Sequence, residues 1–185
     1  MEENVLSDHQ LLSMLLDGKQ KEQGFRMLMR KYGKKIYWHI RRIVVGREDA
    51  EDAVQDTLIK IFSNISAFHG DAAALPAWMY RIATREALQM LRSKTGLFQS
   101  IDSLSKSLID TLKAECGTVD TSERLLQEAV LTLPTTQRLV FNLRYYDGMD
   151  YEQIAEVTGK KVGTLKTNYH YASERIKHYI REKTQ

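Results

Sequence analysis

Between Tyr151 and Tyr171 the chain reads YEQIAEVTGKKVGTLKTNYHY, and the placement of its apolar and small residues leaves few structures open. Ile154, Ala155 and Val157 give a short helix a buried edge, and Gly159 supplies the left-handed backbone that ends a helix without a Cβ penalty. A second helix is expected to begin near Val162, with Leu165 and Tyr169 as its buried i, i+4 edge, while the small Ala155 permits a close crossing. Leu133 to Tyr145 precede this pair as a leading helix, so Leu133 to Ala172 read as helix, short helix, tight turn and last helix. The free face of that last helix carries Thr164, Lys166, Thr167, Asn168, His170 and Tyr171, donors and acceptors at a helix start, where a recognition helix meets base edges. An Ala-x3-Gly turn with such flanks also occurs in helical pairs that bind nothing, so the segment by itself leaves both readings open.

The rest of the chain favours a helical protein. Its 185 residues include only Pro76 and Pro134 as prolines, and alternating β-branched runs are few, which predicts an all-α fold. At 43% hydrophobic, it has enough apolar material for one or two small cores. The net charge of +3 identifies no partner, but the charges fall in blocks. Arg26, Arg30, Lys31, Lys34, Lys35, Arg41, Arg42 and Arg47 form a run without an acid, and Glu48, Asp49, Glu51, Asp52 and Asp56 follow without a base. Lys160, Lys161, Lys166, Arg175, Lys177, Arg181 and Lys183 face only Glu174 and Glu182 in the last segment. The blocks suggest polyanion contacts and one basic partner, although a solvated helix face explains any single block as well.

Met1 to Asp8 is acidic and polar, unlike a signal peptide, and no run approaches the ~18 apolar residues of a membrane span. The lone Cys116 excludes an intramolecular disulfide and fits a reducing cytoplasm, so a cytoplasmic chain with no direct membrane insertion is expected. His9, His39, His69, His170 and His178 show no metal-ligand spacing with it, and neither a phosphate loop nor a nucleophile motif occurs, which predicts no metal, no cofactor and no enzyme activity.

Helical patterns run from Asp8 to Asp17, from about Gln23 to Val45, from Glu48 to about Ile65 and from Pro76 to Arg92, Pro76 suiting a first turn. Composition then shifts to Ser, Thr, Asp and Gly. The expected organisation is a helical domain over 8–94, a linker over 95–122, and a second helical domain over 123–182 with its helix pair at about 151–171. Within the linker Leu97, Ile101, Leu104, Leu108 and Leu112 recur at helical spacing, which predicts an amphipathic helix against a domain or a partner.

Two further faces carry chemistry. Asp49, Asp52 and Asp56 share one side of a helix, with Gln55 adjacent, and Val54, Leu58, Ile61, Phe62 and Ile65 form a separate apolar stripe. Acids in a first turn complement the helix dipole, which accounts for Glu48 and Asp49; Asp52, Gln55 and Asp56 lie deeper and are candidates for a basic partner surface. After the loop at Phe68, His69, Gly70 and Asp71 comes a helix whose stripe of Trp78 or Met79, Ile82, Ala83, Leu88 and Leu91 is ordinary core. Its bases Arg81, Arg85, Arg92 and Lys94 fall elsewhere, with Trp78 and Tyr80 nearby, and bases interleaved with aromatics suit single-stranded nucleic acid.

The stretches DAEDAVQDTLIKIF, AWMYRIATREALQMLR and LPTTQRLVFNLRYYDGMDYEQIAEVTGKKVGTLK, in that order, strongly resemble the extracytoplasmic-function sigma factors of the sigma-70 family, over about 25–180 apart from the linker. The resemblance implies a sigma-2 domain, a linker and a sigma-4 domain ending in a helix-turn-helix. Such proteins bind core RNA polymerase, direct it to a promoter and help open the −10 region. By position, Asp49, Asp52, Gln55 and Asp56 match the surface that meets the β′ clamp helices, a basic coiled coil, with the β subunit also engaged. Phe68, His69, Gly70 and Asp71 match the loop that captures a base extruded from the −10 element, and Trp78, Arg81, Arg85 and Arg92 lie in the helix over the melted strand. Thr164, Lys166, Thr167, Asn168 and Tyr171 match positions that meet the −35 element, with Lys160, Lys161 and Arg175 near phosphates. A membrane-anchored anti-sigma factor is implied by the resemblance alone. The family usually has Asn at Arg85 and Asp at Gln89, and often Arg at Asn168 and Tyr171, so base preferences here need not be the common ones. The family linker is extended, whereas Leu97 to Leu112 predict a stretch able to pack between the domains and hold a compact form when polymerase is absent. The competing reading is a stand-alone DNA-binding regulator, which leaves the acidic face and the basic aromatic helix as coincidences.

Overall fold

A computed structural model describes residues 6–95, 101–115 and 121–184, and the side chains of all of these except 94, 95, 101–104, 115 and 121. Leu97 and Cys116, and the side chains of Lys94, Ile101 and Leu104, therefore lie outside the described residues. The described chain is helical throughout: α1 (Asp8–Leu16), α2 (Lys21–Val44), α3 (Arg47–Asn64), α4 (Leu75–Thr95), α5 (Ile101–Glu115), α6 (Thr121–Leu131), α7 (Thr135–Tyr145), α8 (Tyr151–Thr158) and α9 (Val162–Thr184), with short 3-10 turns at Ile65–Ala67 and Ala72–Ala74.

Periodicity explains the first four helices. In α2 the buried positions Leu28, Tyr32, Ile36, His39, Ile40 and Ile43 recur at three or four residues, forming one face. Ser7 and Gln10 make a capping box that starts α1. Asp8 ties α1 to α2 by accepting from the Tyr32 hydroxyl at 2.6 Å and pairing with Lys31 Nζ at 2.9 Å. Val45 ends α2 with φ at +67°, a strained value for a β-branched residue, and remains buried at the corner leading into α3. The buried edge of α3 consists of Ala50, Ala53, Thr57 and Ile61, whereas Val54, Leu58 and Phe62 are only half-buried. Ile61 and Ile65 of the expected stripe are fully buried, but Ala50, Ala53 and Thr57 take the buried edge where Val54 and Leu58 were expected, because small side chains let α3 approach its neighbours closely and the larger ones close its flanks.

The segment expected as a linker contains a packed helix. Leu108 and Leu112 of α5 are each 5% exposed and belong to the same apolar cluster as α1–α4, which Leu131 of α6 also enters. A second cluster mixes Ala77 and Tyr80 of α4 with Val140, Leu143, Met149, Ile154, Val157 and Leu165 from α7–α9. A third, of Ala129, Val130, Leu133, Phe141, Ala172 and Ile176, joins α6, α7 and α9. Both halves thus share core material. Arg138 is buried within the second half, and burial pushes its guanidinium down to about 10.

Candidate polymerase and nucleic-acid interfaces

Asp52, Gln55 and Asp56 are exposed along one side of α3, pointing away from the Ala50–Ile61 edge that docks it. Asp49 differs. It is half-buried, and its carboxylate sits against the backbone of Gly46, so close that a Cβ there would come within 2.8 Å of Oδ2. This is the position of a first-turn acid at the positive end of a helix, and the deeper trio forms a face of its own.

The loop before α4 is shaped by its own short-range bonds. The Asp71 carboxylate accepts from the Ala74 backbone N–H at 3.0 Å and caps the 3-10 turn, while His69 Nδ1 lies 2.6 Å from the Ala67 carbonyl. Phe68 turns inward, its ring centroid 5.2 Å from that of half-buried Trp78, and both pack on the first core. Gly70 is required by this arrangement, since a Cβ would meet the Phe68 ring at 2.6 Å. In α4 the buried positions are Leu75, Ala77, Met79, Tyr80, Ala83, Thr84, Glu86, Ala87 and Leu91, and Leu88 is only half-buried. Tyr80 is thus not an exposed aromatic beside the bases: it is 4% exposed and covered by the second half. Glu86, almost fully buried, is neutralised by Lys60 Nζ at 2.6 Å.

Arg81, Arg85 and Arg92 fall within ~40° of one another around α4 at 100° per residue. All three are exposed, and with Lys160 they line a cleft of about 510 Å³ between the two halves, together with Thr135, Thr136 and Thr158. Arg81 also donates through Nε to the Glu156 backbone carbonyl at 2.7 Å, and Nη2 donates to the same oxygen. Bases expected at the −10 strand and a base expected near a −35 phosphate are therefore brought together.

The helix pair forms as the residues require. Asp150 and Gln153 make a capping box for α8, and Gly159 ends it with φ +70° and ψ 15°. Leu165 is fully buried and Tyr169 stacks on Phe141 at 5.8 Å. Thr164, Lys166, Thr167, His170, Tyr171 and Arg175 are exposed on α9, as are Lys160 and Lys161 in the turn, and Asn168 is half-exposed. The Asn168 amide donates to the Thr164 carbonyl at 2.8 Å.

Sequence reading missed a cluster that joins the halves. Asp147, in the turn between α7 and α8, accepts from Arg42 Nη1 at 3.2 Å and lies 2.8 Å from His39 Nδ1. His39 is fully buried, its Nε2 is 2.8 Å from the Thr84 hydroxyl, and its ring meets that of Tyr80 edge-on. An ionised Asp147 accepts only, so Nδ1 carries a proton and Nε2 accepts from Thr84 when the ring is neutral. The one sequence signal was a histidine set among Tyr32, Ile36, Ile40 and Ile43 on the buried stripe of α2, with a basic residue three positions on.

Residues 28–96 match the family described as Sigma-70 region 2, and residues 123–176 match Sigma-70, region 4. The chain is 30% identical over 188 aligned positions to the ECF RNA polymerase sigma-E factor of Haemophilus influenzae, covering 95% of this chain and 96% of that one. It is 26% identical to the ECF RNA polymerase sigma factor SigW of Bacillus subtilis, covering 87% and 91%, and 29% identical to the RNA polymerase sigma-H factor of Pseudomonas aeruginosa, covering 91% of each. Among solved structures, CnrH in complex with the cytosolic domain of CnrY shares the fold at a TM-score of 0.71 and 20% identity, over 96% of this chain and 99% of that one. The sigma factor RpoE of Bartonella quintana, solved with the anti-sigma factor NepR, shares it at a TM-score of 0.64 and 20% identity, over 85% and 96%.

Proposed function

We propose how this chain, which belongs to the extracytoplasmic-function RNA polymerase sigma factors, divides its work among its helices. As a sigma factor it binds core RNA polymerase and directs promoter-specific transcription initiation. The observation that carries the division is that an exposed acidic face on α3 and an exposed hydrogen-bonding face on α9 lie on separate helices, each docked by its opposite side.

Asp52, Gln55 and Asp56, with Asp49 at their edge, take the basic clamp helices of the polymerase, where complementary charge raises the rate of encounter and rejects wrong partners. Phe68 to Asp71 capture a base of the −10 element, and Trp78, Arg81, Arg85 and Arg92 hold the parted strand. Extrusion of a base costs a few kcal/mol, so a loop that binds it couples sequence reading to opening without nucleotide hydrolysis. Thr164, Lys166, Thr167, Asn168 and Tyr171 read the −35 element, with Lys160, Lys161 and Arg175 on phosphates. On this reading 8–94 is the sigma-2 domain, 95–122 the connector and 123–182 the sigma-4 domain, and the chain is a non-catalytic factor acting in the cytoplasm. No helix among the described residues is long and apolar enough to cross a membrane.

The anti-sigma factor NepR, with which RpoE of Bartonella quintana was solved, supports such a partner here. A groove of about 780 Å³ between the halves, bordered by Trp38, Arg42, Leu112, Leu131 and Tyr146, is the surface this reading assigns to it. The decisive experiment is run-off transcription with purified core polymerase. Initiation that depends on the added chain is expected; tight promoter binding without core, and no added initiation with it, would instead establish a stand-alone regulator.

A further inference from the structure

The basic run of α2 has no part in the faces on α3, α4 and α9. At 100° per residue Arg26, Arg30, Lys34, Tyr37 and Arg41 fall within ~80° of one another, and at 1.5 Å per residue they extend over ~22 Å. This stripe lies away from the buried edge of Leu28, Tyr32, Ile36 and Ile43. No acid interrupts it. Arg26, Arg30 and Lys34 are exposed, and among the described residues none of the three is ion-paired. A face meant only for water gains from mixed signs at i, i+4, whereas like charges at that spacing weaken the helix. Arg26, Arg30 and Lys34 stand at i, i+4 and i+8, an arrangement that a polyanion relieves.

The stripe runs into the groove of about 780 Å³ between the halves, which Tyr37, Trp38 and Arg41 help to line. Trp38 is 46% exposed, and its ring meets that of Tyr37 edge-on with centroids 5.3 Å apart. Helix α7 contributes Asn142 and, one turn on, Tyr146 to the same lining. Asn142 is 1% exposed, yet neither its amide nitrogen nor its carbonyl oxygen has a hydrogen-bond partner, and the buried Tyr146 hydroxyl also lacks one. Buried polar groups are almost always paired. An unpaired donor beside an unpaired acceptor on the wall of a groove therefore points to a ligand that supplies both. The acids of the lining are already engaged, Glu51 by Arg47 at 2.9 Å and Glu123 by the Gln127 amide at 3.4 Å.

A nucleotide carries the three features these residues can take: a ring face for Trp38, a base edge with donor beside acceptor for Asn142, and a phosphate for Arg41. Carboxamide side chains match the adenine edge best. We propose that the free chain binds single-stranded nucleic acid along α2, with an adenine in the groove between Trp38 and Asn142 and the phosphates following Arg41, Lys34, Arg30 and Arg26. A duplex does not fit this site, because pairing and stacking hide the edge and the faces that the groove would take. The site does not depend on the assignments of α3, α4 and α9, and a strand seated in the groove would exclude a protein partner from it.

The test uses the full-length chain without polymerase. Labelled probes of about 12 nucleotides, oligo(A) and oligo(U) as RNA, oligo(dA) and oligo(dT) as DNA, and the duplex of the last two, are titrated by fluorescence anisotropy. The adenine strands are expected to bind more tightly than the pyrimidine strands, and the duplex most weakly. Tighter oligo(A) than oligo(dA) makes RNA the ligand, and the reverse makes it DNA. Trp38→Ala should weaken binding about 10-fold. Arg30→Ala with Lys34→Ala should reduce the slope of log affinity against log salt by about 1.4. Asn142→Leu is the most informative variant: it should abolish the preference for adenine while melting no lower than wild type, because it removes buried polar atoms that have no partner. Ultraviolet cross-linking is expected to mark Tyr37 or Trp38. Absence of binding, affinity untouched by Trp38→Ala, cross-links confined to Trp78 or α9, or an Asn142→Leu chain that melts lower and keeps the adenine preference overturns the site. Run-off transcription that succeeds in the same preparation leaves the sigma-factor assignments standing in that case.

Discussion

Gly70 lies beneath the tip of the Phe68 ring, so that a Cβ at this position would come within 2.6 Å of Cζ and 2.9 Å of Cε2. The ring is not free to swing aside, because it rests against Trp78 and the core behind it. Gly70→Ala should therefore lift Phe68 off Trp78 at about 0.5–1.5 kcal/mol of rotamer strain, leaving the global fold in place. The expected outcome is a slower formation of the open promoter complex with core affinity unchanged, measured by permanganate reactivity of unpaired thymines against time. An open-complex rate equal to wild type would detach this loop from promoter opening.

Charge reversal on α3 separates recruitment from folding. Asp52 and Asp56 are exposed, so Asp52→Lys with Asp56→Lys should change stability by no more than about 0.5 kcal/mol per site. Two like charges set against a basic coiled coil should weaken core binding roughly 100-fold, about 3 kcal/mol. Fluorescence anisotropy of labelled chain titrated with core polymerase gives the affinity. Asp49→Ala should act differently, reducing helix stability more than core affinity, because its carboxylate is turned toward the Gly46 backbone.

The tyrosines at the junction make alkaline pH a probe of domain contact. Burial, reinforced by the Asp147 charge and partly opposed by Arg42, raises the Tyr80 phenol well above the usual range. Burial raises Tyr146 to about 12, again with Arg42 acting to lower it. Both folded values exceed the unfolded value near 10, so the unfolded chain loses these protons first. Stability should be unaffected by them below pH ~10 and fall as pH rises toward ~12. Arg42→Ala tests the cause by sign. Loss of the cation alone would raise both phenols further, whereas separation of the halves would bring both down toward 10 in a phenolate absorbance titration.

The helix-turn-helix was legible because local rules set each part of it. Gly159 had to be left-handed, Val162 could open a helix, and Leu165 and Tyr169 could point only inward. The face of Asp52, Gln55 and Asp56 was legible for the same reason, as periodicity alone turns these residues outward. What escaped reading arises between elements far apart in the chain. His39 and Asp147 are 108 positions apart, and neither has a local motif, since a histidine on an apolar stripe and an acid in a turn are each unremarkable by themselves. Tyr80 was misplaced beside the bases expected to face DNA because the apolar pattern of one helix does not tell which partner covers each edge. The α3 stripe was only partly legible for a related reason: Ile61 and Ile65 are buried as expected, but Ala50, Ala53 and Thr57 are weakly apolar, yet close packing selects them.

Lys166 offers a test of the recognition face that works whatever the promoter sequence. Its Nζ lies 5.7 Å from the Tyr151 ring centroid, at the open end of α9, where a cation can reach either a phosphate or a base edge. If it neutralises a phosphate, Lys166→Ala should weaken holoenzyme binding to every promoter alike and reduce the slope of log affinity against log salt by about 0.9. If it reads a guanine edge, the salt slope should change little and discrimination at one −35 position should fall by about 1–3 kcal/mol. Selection of −35 sequences from a randomised pool, repeated at two salt concentrations with wild type and variant, distinguishes the two outcomes. Asn168→Arg is the companion experiment, because Asn168 brings an acceptor oxygen to this half-exposed position and its amide is engaged with Thr164. Exchanging this acceptor for a guanidinium should move the preferred base at one position toward guanine, and an unchanged consensus would remove Asn168 from the reading face.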